Sequence, residues 1–212
     1  MKIAIVGSGL MGATIGAVCA ELGHQVIFSY SRSTEKLQRL ATLHGALWGS
    51  CRQAVEVADL IVLAVHWTRV EDVIAKMGNV AGKTIMSCTN PLDASDSHLV
   101  IADTDSGAET LARKFPNANI VAAFQATPSE VIKDVFNGRE NVPRPSMVYC
   151  GNDNASKYLV QELLKQFGFD PVDAGTLKLA RYIEPFAMLA TALAYGTDQG
   201  PEWVYRFGRY GS

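Results

Sequence analysis

What the 212-residue chain lacks narrows its function first. Its four cysteines (Cys19, Cys51, Cys88 and Cys150) lie far apart with no CxxC pair. That excludes a dithiol redox motif and a zinc ribbon, and it reads as buried thiols in a reducing compartment. The histidines (His24, His44, His66 and His98) show no metal-ligand spacing. No Lys/Arg run exists and the net charge is −2, so nothing marks a nucleic-acid surface. No apolar stretch reaches the roughly 18 residues a bilayer needs. The longest candidate, FAMLATALAYGT from Phe186, is too short. Met1-Lys2 runs straight into a strand pattern without a signal peptide's apolar core, so a cytoplasmic protein is expected. What is present is enough apolar mass for a core, with 48% hydrophobic and 19% charged residues.

Short apolar runs alternate with helical patterns. Strands are expected at 2–7, 24–30, 46–48, 59–65, 83–88, 119–124, 146–151 and 170–175. Helices are expected at 10–22, 33–45, 51–58, 67–77, 107–115, 127–136, 154–168 and 176–195, with Ser33 as an N-cap and Gly45 as a C-cap. The alternation makes the sheet parallel, with helices on both faces. The expectation is one domain over 1–212: an α/β, Rossmann-type doubly wound, mostly parallel sheet. Residues 1–125 would form the dinucleotide-binding core and 126–212 a small C-terminal extension.

The first βα turn reads Gly7-Ser8-Gly9-Leu10-Met11-Gly12. In this pattern Gly7 makes the tight turn, Gly9 leaves room for a pyrophosphate, and Gly12 lets helix and strand pack closely. The helix N-terminus then presents free N–H groups to the phosphates. Alone the pattern is weak; between a strand and a helix it is specific.

A second absence follows strand two. An NAD site carries an acid there to hold the adenosine ribose hydroxyls. This chain has Tyr30-Ser31-Arg32-Ser33 instead, with Lys36 one helical turn on. Serine hydroxyls and a guanidinium suit a 2′-phosphate, so NADP(H) is the expected cofactor.

The nicotinamide should lie over the strand ends, near 64–68, 88–93 and 123–127. No evident acid–base pair stands there. The first half is similar to the β-hydroxyacid dehydrogenases, but Lys178 is followed four positions later by Tyr182, not by their Asn or Gln, and their large helical domain has no room. MKIAIVGSGLMG, Ser31-Arg32, Asn90-Pro91-Leu92 and CGNDNASK…LLKQFGFDPVDAGTLKLARYIEP together resemble the NADPH:coenzyme F420 oxidoreductases. The nucleotide-binding domain of the STEAP metalloreductases is similar.

The resemblance implies hydride exchange between NADP(H) and a stacked ring, a deazaflavin (coenzyme F420) or a flavin (FMN or FAD), usually in a homodimer. It places the pyrophosphate on residues 7–12 and the 2′-phosphate on Ser31, Arg32, Ser33 and Lys36. Ala64, Val65 and His66 would flank the nicotinamide, although a lone His66 reads first as structural. Asn90, Pro91 and Leu92 would shape the ring pocket. Gln125 stands where the family often has His or Phe followed by Asn or Thr, so it could bond a ring carbonyl or another substrate. The competing readings are an NADPH reductase of a small carbonyl or imine, with Gln125 or Tyr182 nearby, and a non-catalytic NADP(H)-binding module. Arg139 and Arg144 read as solvated loop charges before an acidic-tail site. The tail aromatics Trp203, Tyr205, Phe207 and Tyr210 read as dimer contacts.

Overall fold

The structure, a computed structural model, describes residues 1–210. Eight strands form one sheet in the order β3-β2-β1-β4-β5-β6-β7-β8. They are β1 Lys2–Val6, β2 Gln25–Ser29, β3 Leu47–Trp48, β4 Leu60–Leu63, β5 Thr84–Ser87, β6 Asn119–Ala122, β7 Ser146–Gly151 and β8 Asp170–Asp173. The helices are α1 Leu10–Glu21, α2 Thr34–His44, α3 Cys51–Val57, α4 Val70–Met77, α5 Gly107–Lys114, α6 Ser129–Asn137, α7 Asn154–Gln166 and α8 Ala180–Tyr195. Short 3₁₀ turns at Trp67–Arg69 and Leu177–Leu179 lead into α4 and α8. Most expected elements lose one or two residues at each end, where the chain already turns.

The central strands are buried from Ile3 to Val6 in β1 and throughout β4 and β5, and β4 is wholly aliphatic, as suits strands covered on both faces. One apolar layer joins α3, α4, α5 and α8 to the sheet. The other joins α1, α2, α6 and α7. The sheet is therefore doubly wound. Caps act where the sequence put them: Ser33 accepts the Lys36 N–H at 3.2 Å, and Gly45 closes α2 at φ 60°.

The strand order reverses between β1 and β4, because β2 and β3 extend one way and β4 onward the other. That reversal opens a crevice at the carboxyl ends of β1 and β4. The glycine turn lies there.

One expectation needs correction. Alternation predicts a parallel sheet, but β7 runs antiparallel to β6, with Ala122 opposite Cys150. Instead of crossing back along the sheet, α6 packs on α1, so the chain enters β7 from the edge at which it left β6. The parallel pair β7–β8 thus starts on the same edge as the glycine turn.

Candidate functional site

Gly7 takes φ +118°, and a side chain there would put its Cβ 2.2 Å from the Ala64 carbonyl oxygen. A Cβ on Gly12 would lie 1.9 Å from the Gly7 carbonyl oxygen. These two glycines let β1, β4 and α1 meet at backbone distance. Gly9 differs: no atom lies within 4 Å of where its Cβ would be. It is the N-cap of α1 and makes no side-chain cap bond, so the first turn presents its N–H groups to open space.

That space is a cleft of about 1020 Å³. Its floor is Gly7, Ser8 and Gly9, and its far wall is Ala64, Val65 and His66. Ser31, Arg32, Ser33 and Lys36 line one end. Leu10, Met11 and Gly12 form the first turn of α1 behind the rim. Arg32 is exposed and makes no hydrogen bond or ion pair among the described residues. Ser33 is already engaged, capping α2 and donating to Glu35 at 2.6 Å.

The sequence reading missed a second wall. Trp48 and Arg52 close the cleft beside β3, and Tyr30, Arg69, Asp72 and Lys76 close it from α4. Tyr30, at φ 59°, donates to Asp72 at 2.7 Å and accepts from Arg69 Nε at 3.2 Å. Lys76 reaches Asp72 at 2.7 Å and lies 5.6 Å from the Tyr30 ring centre. The Lys76 ammonium, then the Tyr30 hydroxyl, hold the Asp72 carboxyl below its usual range. Asp72 is thereby compensated locally, and Arg32, Lys36, Arg52 and Arg69 leave this end of the cleft cationic. The signal was present as the spacing of Arg69, Asp72 and Lys76 on one helix face after the fourth strand.

His66 is structural first. Its Nδ1 pairs with Thr68 Oγ1 at 2.7 Å and accepts the Thr68 N–H, while Nε2 pairs with Asp96 at 2.9 Å. This ties the β4–α4 turn to the loop after β5. That loop is folded around Asp93, whose carboxyl accepts from Ser97 N at 2.9 Å and from Ser95 Oγ. The Ser97 N–H contributes most to holding Asp93 at about 2.

Asn90, Pro91, Leu92 and Gln125 stand at the ends of β5 and β6, outside the lining of the cleft. Asn90 Nδ2 donates to the Gln125 carbonyl at 3.0 Å, and Gln125 Nε2 donates to the Ser87 carbonyl at 3.0 Å. Both amides are fixed by these bonds. Their oxygens, Asn90 Oδ1 and Gln125 Oε1, are buried and unpartnered. Such acceptors ordinarily have a donor.

Other expected residues resolve differently. Tyr182 is 71% exposed on α8 and does not line the cleft. Arg139 stacks on the Phe136 ring at 4.4 Å, and Arg144 lines a separate cavity. Tyr205 packs within the chain, edge-on to Phe186 at 5.1 Å. Cys19, Cys51 and Cys150 are buried, whereas Cys88 is partly exposed. No group of three metal-ligating side chains occurs among the described residues, and no helix among them is long and apolar enough to cross a membrane.

Residues 2–91 match the model of a family described as NADP oxidoreductase, coenzyme F420-dependent. Metalloreductase STEAP3 of Rattus norvegicus is 27% identical over 185 residues, which are 86% of this chain and 36% of that protein. Metalloreductase STEAP2 of Homo sapiens is 27% identical over 131 residues, 62% of this chain and 25% of that protein. The chain thus spans little more than a third of these curated relatives, or less. A solved structure from Arthrobacter sp. FB24, an inferred F420-dependent NADP-reductase, superposes with a TM-score of 0.87 at 27% identity. That match covers 99% of this chain and 100% of the other. A reductive aminase from Aspergillus terreus, solved with NADPH4, cyclohexanone and allyl amine, shares the fold at a TM-score of 0.66 and 21% identity, over 91% of this chain and 60% of that one. Residues 2–91 are thus similar to the NADP oxidoreductase, coenzyme F420-dependent, family, and the whole chain shares its α/β fold with the Arthrobacter structure.

Proposed function

We propose that this protein exchanges a hydride between NADP(H) and a planar redox ring, a deazaflavin such as coenzyme F420 or a flavin, stacked on the nicotinamide. The observation that carries the reading is the open cleft at the glycine turn, where Gly9 faces open space and Arg32 stands unpaired at one end; the similarity of residues 2–91 to the coenzyme F420-dependent family supports the ring partner. Asn90 and Gln125 brace the carboxyl ends of β5 and β6, the edge where a nicotinamide would lie.

The dinucleotide fits the other features of the cleft. Gly9 faces open space where the pyrophosphate needs backbone approach, and the uncapped first turn of α1 supplies donors. Ser8, Leu10 and Met11 bring those N–H groups to the phosphates, with Gly7 and Gly12 holding the turn. Arg32 is exposed and free to grip a 2′-phosphate, assisted by Ser31 and Lys36, while Ser33 contributes by ordering the start of α2. Ala64 and Val65 wall the nicotinamide half, and His66 keeps that wall in place through Asp96. Pro91 and Leu92 shape the ring pocket.

When bound, NADPH supplies the hydride. Transfer between two parallel rings asks the protein for proximity and orientation. Asn90 and Gln125 keep the ends of β5 and β6 in place, through bonds to the Gln125 and Ser87 carbonyls.

Anaerobic mixing of the protein with NADPH and either coenzyme F420 or FMN tests this. Loss of the acceptor's absorbance is expected, faster with NADPH than with NADH. NADPH binding without bleaching of either acceptor would sink the ring partner and direct the search to carbonyls and imines. Arg32→Ala should weaken NADPH binding by about tenfold or more and leave NADH binding nearly unchanged. Because Arg32 is exposed and makes no hydrogen bond or ion pair among the described residues, its loss should leave the fold intact. Equal weakening of both dinucleotides, measured by calorimetry, would overturn the 2′-phosphate assignment.

A further inference from the structure

The loop before β7, the end of α7, the start of β8 and the C-terminal tail line a second, open cavity of about 610 Å³. Three cations line it, Arg144, Lys165 and Arg206, against one carboxylate, Asp170. Lys165 is paired with Glu162 at 2.7 Å. Arg144 and Arg206 make no ion pair among the described residues. The Nε of Arg144 is buried and has no hydrogen-bond partner, although Asp170 borders the same space. A buried guanidinium N–H without an acceptor is costly, and folded proteins rarely leave one so.

The backbones that carry the two arginines are fixed side by side. Prolines 143 and 145 restrict the chain on both sides of Arg144. The Pro145 carbonyl accepts the Asp170 N–H at 2.8 Å. Ser146 N donates to the Tyr205 carbonyl at 2.8 Å, and Ser146 Oγ accepts the Phe207 N–H at 2.9 Å. Tyr205 Oη in turn accepts the Val148 N–H at 3.1 Å. Arg206 is therefore held across from Arg144 by bonds on both of its neighbours. Two guanidiniums prearranged around a cavity suit an oxyanion.

From this we infer that the cavity binds a phosphate or carboxylate group, with the Arg144 and Arg206 guanidiniums as its donors. The inference does not depend on hydride exchange. Because β7 is reversed, the cavity opens near the edge that carries the glycine turn. Its anion is either free or the phosphate of a molecule seated in the main cleft.

Nε–H signals of 15N-arginine-labelled protein, followed during titration with inorganic phosphate at constant ionic strength, test the inference. Arg144→Lys and Arg206→Lys assign the two signals. Saturable shifts confined to these two signals are expected, with affinity about tenfold or more lower in Arg144→Gln. Overturning results are no shift, a shift shared by all arginines, or undiminished binding in a folded Arg144→Gln protein. A second arm compares FMN with riboflavin. FMN acting at lower concentration than inorganic phosphate, with riboflavin silent, assigns the anion to a tethered phosphate; FMN no better than inorganic phosphate assigns it to a free anion. These signals are read without turnover, so failure of the hydride reading and failure of the anion site are separable.

Discussion

Gly12→Ala is expected to lower the melting temperature by about 6–12 °C and to abolish most NADPH binding. The added Cβ would sit 1.9 Å from the Gly7 carbonyl oxygen and 3.2 Å from Ile5 Cγ2. The first obstacle is backbone, so α1 must move off β1 rather than a side chain turning aside. Overpacking of this kind costs about 3 kcal/mol, which for a chain of this size corresponds to the shift given. Moving α1 also misaims the N–H groups of its first turn, so binding should fall tenfold or more.

Gly9→Ala is the contrast. Gly9 has ordinary φ of −67° and no neighbour within 4 Å of the new methyl. Its melting temperature should stay within about 1–2 °C of wild type, because nothing in the fold is displaced. The methyl would occupy the approach path of the pyrophosphate, so NADPH should still bind worse. Differential scanning calorimetry and a dinucleotide titration decide both points. A stable, binding-competent Gly12→Ala protein would contradict the packing, and normal binding by Gly9→Ala would contradict the phosphate assignment.

The other large effect is expected at Glu184, far from the cleft in sequence. It is 1% exposed on α8 and takes hydrogen bonds from Gly107 N at 2.8 Å and Ala108 N at 2.9 Å. It thus covers the first turn of α5 from another helix. Glu184→Ala strands two buried N–H groups and leaves a void, costing about 3–5 kcal/mol, enough to lower the melting temperature by roughly 6–15 °C. A change of under about 2 °C would mean that water replaces the carboxylate without loss.

Glu184 also sets a pH dependence. Burial pushes its carboxyl up to about 7, against the pull of the two N–H donors; Glu109 and Asp105 add to the rise. Cys150 is the other titratable group that feels it. Glu109 faces Arg181 at 2.7 Å, and Asp105 faces Arg113, so each is itself held low. Between the ordinary carboxylate value and about 7 the folded chain holds a proton that the unfolded chain has released. Stability is therefore fullest below that window and falls as pH rises through it, by up to about 3 kcal/mol. Glu184→Gln should remove this slope from denaturant titrations at pH 5 to 8. An unchanged slope would show that Glu184 does not titrate there. The effect reaches the proposed ring pocket, because Pro91 packs against Gly107, 3.0–3.2 Å from where a Cβ would stand.

Local signals made much of this fold legible. Ser33 and Gly45 closed α2 as their chemistry demands, and the glycine turn announced the strand–helix junction at the crevice. What escaped was long-range. Asp72 meets Tyr30 across 42 residues, and Glu184 meets Gly107 across 77. No periodicity encodes such pairings. The direction of β7 escaped for a related reason: it is set by α6 packing on α1, not by any residue within β7. Gln125 could be singled out as unusual, but its locking onto the Ser87 carbonyl follows only once β5 and β6 are neighbours.

The last strand carries a consequence for assembly. In β8 the N–H groups of Asp170 and Ala174 point inward, to Pro145 and Tyr149. Of the two outward positions between them, 171 is a proline with no N–H to offer, and Asp173 carries a charge. Charged Asp170 and Asp173 flank it, and at the opposite margin β3 is only two residues long. Both margins are therefore poor templates for another strand, which disfavours edge-to-edge growth of the sheet. The half-exposed Leu189 and Leu193 of α8 offer a helical face instead.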